Sequence, residues 1–502
     1  MRALSYLFVV AFLSLNSLGQ NHGVGHPYAS SQDPQNMQGM DMGPAAVSSL
    51  PSPHASSGTA WQPASVPERM WMTSHGGWDL MAHGTLFVTY NQQGGSRGVG
   101  KAESVNYLMT MEQHKLGPGT LLLRQMFSAE SLTSPHPGFP ELFQTGETYH
   151  GQPLVDHQHP HNVFSELALM YTVPIRENLS WLLYGGPVGE PALGPVTYLH
   201  RESASENPAA PLSHHLQDST HTSFGVVTTG LVIDRFKIEG SAFNGREPNE
   251  ERWSIQLAAL NSWSVRGSVA ATRNWTAQYS YGRLLHPEAL DPTNERRQTA
   301  SVEYNRPFAK GNWATTVVWG RKHKELQHTT QNSYLGESAI RFHAKNYAYT
   351  RLELVDKDEL FPQAPVQTSY RIGAYTFGGV RDILQNRHWQ IGLGADVNFY
   401  SKPVALDQTY GNNPVSFHIF VRVRPADRQI SESDTIEYRS RCNSTQPRAQ
   451  SWNSSIICAA NSPTMSGPIV KYWPPRRLAL TLRGRCSFWR IFSPPSASGG
   501  SD

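Results

Sequence analysis

Apolar side chains recur at every second position through the middle of this chain, and that period excludes a helical fold for the segment that carries it. Period 2 sets successive side chains on opposite faces of an extended strand, whereas a helix needs a period near 3.6. From Trp389 to Phe399 the residues Trp389, Ile391, Leu393, Ala395, Val397 and Phe399 share one face, and Gln390, Gly392, Gly394, Asp396 and Asn398 share the other. Val415, Phe417, Ile419, Val421 and Val423 stand in the same way against Ser416, His418, Arg422 and Arg424. Ala300, Val302 and Tyr304 oppose Ser301, Glu303 and Asn305, and the strand from Trp263 to Val269 carries Ser264, Arg266 and Ser268 on its second face. About 16 such strands are read between Gly84 and Arg424, the first near 84–91 and the last near 415–424.

Alternation alone fits a soluble sandwich as well as a barrel, because each hides one face of every strand. The connections separate the two. Tight turns at Lys115–Gly119, Pro174–Asn178, Asp234–Arg235, Arg273–Asn274 and His343–Lys345 alternate with loops of about 10 to 35 residues. Short turns on one side and long loops on the other are the arrangement of an outer-membrane barrel. Gly378–Arg387 is the exception, a long connection on the short side. Trp263, Trp275, Trp313, Trp319, Tyr347, Trp389 and Tyr400 fall at strand ends, where interfacial aromatic girdles lie. No run of 18 apolar residues follows the first 20, which excludes a membrane-spanning helix and leaves a barrel open. The expected fold is all-β: a single transmembrane antiparallel β-barrel of about 16 strands over residues 76–425, with a disordered N-terminal arm and C-terminal tail. Its lumen would be lined by Glu303, Arg266, Arg341, Arg351, Glu353, Asp396 and Arg422, residues of both signs.

The two ends of the chain break the pattern. Arg2 precedes the apolar run Leu4–Leu15, and Ser17 and Gly19 sit at the −3 and −1 positions of a cut before Gln20, so residues 1–19 read as a secretory signal peptide. Residues 20–75 are rich in Ser, Pro, Gly, His and Met and follow neither period, which reads as an unstructured periplasmic arm. Its Met37, Met40, Met42, Met70 and Met72 offer soft thioether ligands that suit Cu(I), and a plain solvated linker is the other reading. From Ala426 the alternation stops, ten Lys and Arg stand against five Asp and Glu, and all three cysteines are found. Residues 426–502 therefore read as a disordered or frame-shifted tail. The net charge of +3 comes from this stretch, and the remainder offers no basic surface for nucleic acid. A cysteine-free barrel region suits an oxidising periplasm crossed without a disulfide framework.

Histidine is concentrated: nine of the 21 fall between residues 136 and 221, in the two longest loops. Asp156-His157-Gln158-His159-Pro160-His161 sets three imidazoles at a spacing of two, on one side of an extended segment. The second loop adds His214, His215 and His221. Imidazoles with a neighbouring carboxylate suit Cu or Zn, with Asp156 as an oxygen ligand or as the acceptor that fixes a ring tautomer. Hydrogen bonding of the rings to loop carbonyls is the competing account. No HExxH, CxxC or GxSxG sequence is present, so no enzyme class is indicated.

A signal peptide, the arm with Gly39-Met40-Asp41-Met42 and a closing barrel together resemble the copper-resistance outer-membrane proteins of the CopB type. The chain departs from them in lacking repeated Met/His/Asp blocks and in its larger number of strands. The resemblance implies an outer-membrane location, with transition-metal binding or efflux through His-rich extracellular loops. More broadly, the middle resembles uncharacterised Gram-negative outer-membrane barrels, which implies location and fold with no activity. The expected partners are outer-membrane lipid and either a metal ion or a small solute. Without the resemblance, the mixed-charge lumen suits a passive, porin-like solute channel, and the long loops suit a receptor.

Overall fold

The computed structural model describes residues 50–134 and 137–427. A short strand, β1 (Trp71–His75), precedes β2 (Trp78–Gln92), β3 (Gly100–Leu116) and β4 (Gly119–Phe127). Four brief strands, β5 (Phe139–Pro140), β6 (Glu147–Tyr149), β7 (Gln152–Leu154) and β8 (His157–Gln158), pair among themselves in the first long loop. β9 (Phe164–Arg176) and β10 (Leu179–Gly189) form the next hairpin. Past the second long loop the chain runs through β11 (Ser223–Ile233), β12 (Phe236–Phe243), β13 (Ser262–Thr272), β14 (Trp275–Leu284), β15 (Glu295–Phe308) and β16 (Gly311–Lys324). It ends with β17 (Thr329–Phe342), β18 (Asn346–Lys357), β19 (Tyr370–Gln385), β20 (Trp389–Ser401) and β21 (Val415–Pro425). Antiparallel pairing runs unbroken from strand to strand, β4 pairs with β9, and β21 returns to β2 from Leu86↔Val423 to Gln92↔Phe417. The result is a closed antiparallel barrel of 16 strands, β2 to β4 and β9 to β21, with no free edge to cap.

The barrel is inverted relative to a soluble protein. Ile238, Val265, Val317, Leu393 and Ile419 point outward with 46–61% of their surface exposed, while Glu239, Arg266 and Arg422 on the same strands are at most 2% exposed. Each large aliphatic side chain left in water forgoes roughly 1.5–3 kcal/mol of burial, so a belt of them around every strand requires an apolar solvent. The alternation read from the sequence is thus a lipid face against a lumen face. A soluble sandwich is ruled out because the charged residues are the hidden ones.

Seven connections on one side are turns of two or three residues, including Asp234–Arg235 and Arg273–Asn274. The anomalous long connection Gly378–Arg387 is not a loop: β19 continues to Gln385, and only 386–388 turn. The interruption in its pattern comes from a register shift between Asp382 and Leu384, which moves the side chains beyond it to the other face. On the same side β1 folds back on β2 through Gly76 and Gly77, whose φ of 60° and 81° suit the two-residue hairpin turn that L side chains resist. Trp71 packs edge-on against Trp389 at 4.7 Å and donates from Nε1 to the His388 carbonyl, 3.0 Å away.

The lumen holds protein. Residues 190–222 are almost continuously buried, and so are most of residues 56–65, which belong to the stretch expected to be an unstructured arm. Residues 56–65 are held there because the charged inner wall offers polar partners: Arg124 donates to the Ser56 carbonyl, Lys237 to the Thr59 carbonyl, Arg266 to Thr59 Oγ1 and Asn305 to the Ser65 carbonyl. Residues 426 and 427, past the expected boundary at 425, are also tied to the barrel. Ala426 N donates to His388 O, and Asp427 pairs with Arg69 and Arg341. The proposed signal peptide, Gly39–Met42 and the cysteines lie outside the described residues.

Candidate functional site

The second long loop was expected on the outer rim with its histidines. It enters the barrel instead and is bonded to successive strands of the inner wall. Ala192 N donates to Ser241 Oγ at 2.7 Å, and Gly194 N to Ser280 Oγ at 2.9 Å. Arg201, with none of its surface exposed, pairs with Glu337 at 2.7 Å and Asp218 at 3.2 Å. Glu206 pairs with Arg422 and, at 2.9 Å, with Arg424. Glu353 accepts from Leu212 N, Ser213 N and Ser213 Oγ at 3.1, 2.9 and 2.6 Å. Buried charges persist only when paired, so each of these contacts fixes the loop to a particular strand.

All the residues expected in the lumen face inward. Arg266 pairs with Glu239 at 3.2 Å and Arg351 with Glu337 at 3.1 Å. Asp396 meets His418 Nδ1 at 2.7 Å and Tyr349 Oη at 2.7 Å. Arg422 also holds Asp382, Arg341 reaches Asp427, and Glu303 is buried.

The infolded loop brings its histidines against those of the first loop. His159, His161, His214, His215 and His221 are each at most 8% exposed. Ring centroids lie 5.2 Å apart for His161 and His221, 5.0 Å for His214 and His221, 5.2 Å for His214 and His215, and 6.2 Å for His159 and His215. Four of the rings are held at Nδ1: His161 by Glu130 at 2.7 Å, His214 by Asp218 at 2.5 Å, His221 by the Asp218 carbonyl at 2.8 Å, and His159 by the Pro160 carbonyl at 3.0 Å. Anchoring one ring nitrogen fixes the tautomer and aims the other. His159 Nε2 faces Glu147 Oε1 at 2.8 Å, whereas His161 Nε2, His221 Nε2 and both nitrogens of His215 are buried with no hydrogen-bond partner among the described residues.

Burial holds the imidazoles of His159, His215 and His221 below their usual range, with the neighbouring His214 adding repulsion at His215 and His221. Burial pulls the other way on Glu147, but His159 and Arg252 outweigh it and keep the carboxyl low. His214 and Arg201 do the same for Asp218. Burial thus favours the neutral form of His159, His215 and His221, and their surroundings favour the ionised form of Glu147 and Asp218, the forms in which these groups bind metal ions.

Asp156 and His157 are not part of it. Asp156 has a φ of 59°, accepts from Phe143 N at 2.7 Å and pairs with Arg97 at 3.0 Å. His157 is half-buried with Nδ1 on the Val155 carbonyl. Spacing of two did not keep the three imidazoles together: His157 lies on β8, which ends at Gln158, whereas His159 and His161 lie past it. Sequence reasoning missed Glu147, Glu130 and Gly146. Gly146 has a φ of 115°, and a Cβ there would stand 2.9 Å from the His215 ring. No local pattern marks these three, since their partners are 12 or more residues away.

A second polar and apolar cluster surrounds β2 to β4: Met70, Met81, Met109, Met111 and Met126 pack together, with His83 Nε2 3.2 Å from Met109 Sδ.

No protein-family model matches the chain, and no curated protein matches it. Among solved structures it is similar to an anion-selective porin from Comamonas acidovorans, at 9% identity over 69% of this chain and 99% of the porin, with a TM-score of 0.42. OmpF of Salmonella typhi, solved with daunomycin, is 8% identical over 70% of this chain and 100% of its own, with a TM-score of 0.42. The outer-membrane channel DcaP of Acinetobacter baumannii is 9% identical over 70% and 99%, with a TM-score of 0.41. The barrel assignment rests on the strand pairing, not on these distant likenesses. None of the comparisons supports the CopB-type resemblance, and its one motif, Gly39–Met42, lies outside the described residues.

Proposed function

We propose that this protein is an outer-membrane barrel that passes small solutes through a lumen narrowed by its own chain. The observation that carries the reading is the lumen: a closed 16-strand wall with a charged inner face, in which the infolded segments leave separate cavities of about 110 Å³ and 40 Å³. Barrels of this strand number are wide enough for a water-filled bore when nothing occupies them. His54, Arg69, Tyr107, His200 and Arg424 border the larger cavity, and Glu103, Glu130, His159, Arg351 and His418 the smaller. At ~15 Å³ per enclosed water sphere, these spaces hold a few waters, so flux depends on displacement of residues 190–222. The lipid-facing belt supports placement in the outer membrane.

Planar-bilayer recording tests this. The full chain should give low conductance, and replacing residues 195–216 with a short Gly/Ser linker should raise it by about an order of magnitude. Unchanged conductance in a deletion that still shows heat-modifiable migration would overturn the reading, as would a wide open bore in the full chain.

A further inference from the structure

Glu147, His159 and His215 each bring one ligand atom to within 4.8 Å of the others, inside a buried part of the barrel. They come from three separate places, namely β6, the chain just past β8, and the short helix His214–Gln217 of the infolded loop. His215 is 4% exposed and, among the described residues, neither of its ring nitrogens has a hydrogen-bond partner, an arrangement that calls for an ion, a ligand or water to complete it. Gly146 makes room for that ring, since any larger residue would put a Cβ against it. Behind these three stand His161, His214 and His221, with Nδ1 anchored on Glu130, on the Asp218 carboxylate and on the Asp218 carbonyl. Among the described residues, Nε2 of His161 and of His221 is also unpaired.

From this geometry we infer that the cluster is a binding site for a divalent transition-metal ion, Cu(II) or Zn(II), held by Glu147, His159 and His215. Two imidazoles and a carboxylate are borderline-to-hard donors suited to these ions, and the thioethers that would favour Cu(I) are gathered elsewhere, around Met109 and Met111. Bonds of about 2.0–2.2 Å would draw the three donors to roughly 3.3 Å from one another. His159 and Glu147 already stand at 2.8 Å, so the approach of His215 is the main movement. His161, His214 and His221 then form an adjoining row of imidazoles, the nearest of which, His214, lies 5.2 Å from His215 between ring centroids. The site stands independently of whether the barrel passes solute.

The test uses the full-length protein folded in detergent and equilibrated with Zn(II) or Cu(II), with retained metal measured after removal of excess and affinity measured by chelator competition. Variants are Glu147→Gln, which preserves size, the pair His159→Ala with His215→Ala, and His286→Ala as an exposed loop control. The parent and His286→Ala should hold about one more equivalent than the histidine pair, and Glu147→Gln should bind at least tenfold more weakly. Co(II) in the parent should give visible absorption of nitrogen and oxygen coordination that the histidine pair lacks. Metal bound elsewhere, including by the N-terminal Met and His, contributes equally to all four proteins. Identical stoichiometry and affinity in parent and Glu147→Gln would overturn the site. If the histidine pair does not fold, Glu147→Gln decides alone. Bilayer conductance, recorded separately, reports on solute passage.

Discussion

At the scale of single residues, the interior of this barrel is held by ionisable groups that find partners on distant segments. Glu190 is one of them, accepting from Ser57 Oγ at 2.6 Å and Thr197 Oγ1 at 3.1 Å. Burial raises its carboxyl to about 7, against the opposing hydrogen bond from Ser57 and the charge of Arg266. A folded pKa above the unfolded value means that the folded state keeps a proton which the unfolded chain releases. The associated stability is complete below pH ~4.5 and is lost as pH rises towards 7. The thermal midpoint of the full chain should therefore fall across that window, and Glu190→Gln should flatten the fall. Equal slopes for the two proteins would show that Glu190 ionises normally. Gly146 supplies a second prediction. Gly146→Ala forces a Cβ into the left-handed region and against His215, at a cost of about 1–3 kcal/mol, which a lowered unfolding midpoint would register.

At the scale of elements, the segment 190–222 behaves as part of the wall rather than as a surface loop. Arg201 is its central tie, because it neutralises Glu337 on β17 and Asp218 within the segment. Arg201→Ala leaves both carboxylates buried beside one fewer cation, and loss of one partner of a buried pair costs about 3–5 kcal/mol. The barrel strands should survive, since their ladders do not involve Arg201, while the segment loosens. Limited proteolysis should then cut the variant between 190 and 222 under conditions that leave the parent intact. Equal protection would mean that Glu206 and the Glu353 contacts suffice to hold it. β1 is a smaller case of the same kind: it occupies the stretch of β2 that β21 does not reach, so the closing seam is shared between both ends of the described chain.

At the scale of the whole molecule, an apolar exterior and a charged interior make detergent or lipid a condition of the fold. Removal of residues 428–502 should leave a barrel that migrates differently before and after heating. Removal of 426–502 should lower its unfolding midpoint, because Asp427 joins Arg69, just before β1, to Arg341 on β17. Gel mobility and a thermal melt of the two truncations check this, and equal midpoints would show that the Asp427 pairs contribute nothing.

The strands, their number and their inward faces were legible in the sequence because they are local: a period of 2 assigns Arg266, Glu353 or Arg422 to a face without knowledge of any neighbour. The short and long connections followed from the same pattern, apart from 378–387, where a register shift disguised a strand as a loop. What occupies the lumen could not be read in that way. Whether residues 190–222 lie outside or inside depends on pairings such as Arg201 with Glu337, 136 residues apart, which only the closed barrel brings together. The histidine cluster divides along the same line. The repeated imidazoles of both loops were visible, but Asp156 and His157 turned away with the backbone, and Glu147, Glu130 and Gly146 joined through contacts that carry no sequence period. Local alternation is set by each strand's own backbone, whereas a site inside the barrel is assembled by segments whose meeting is decided only when the tertiary fold closes.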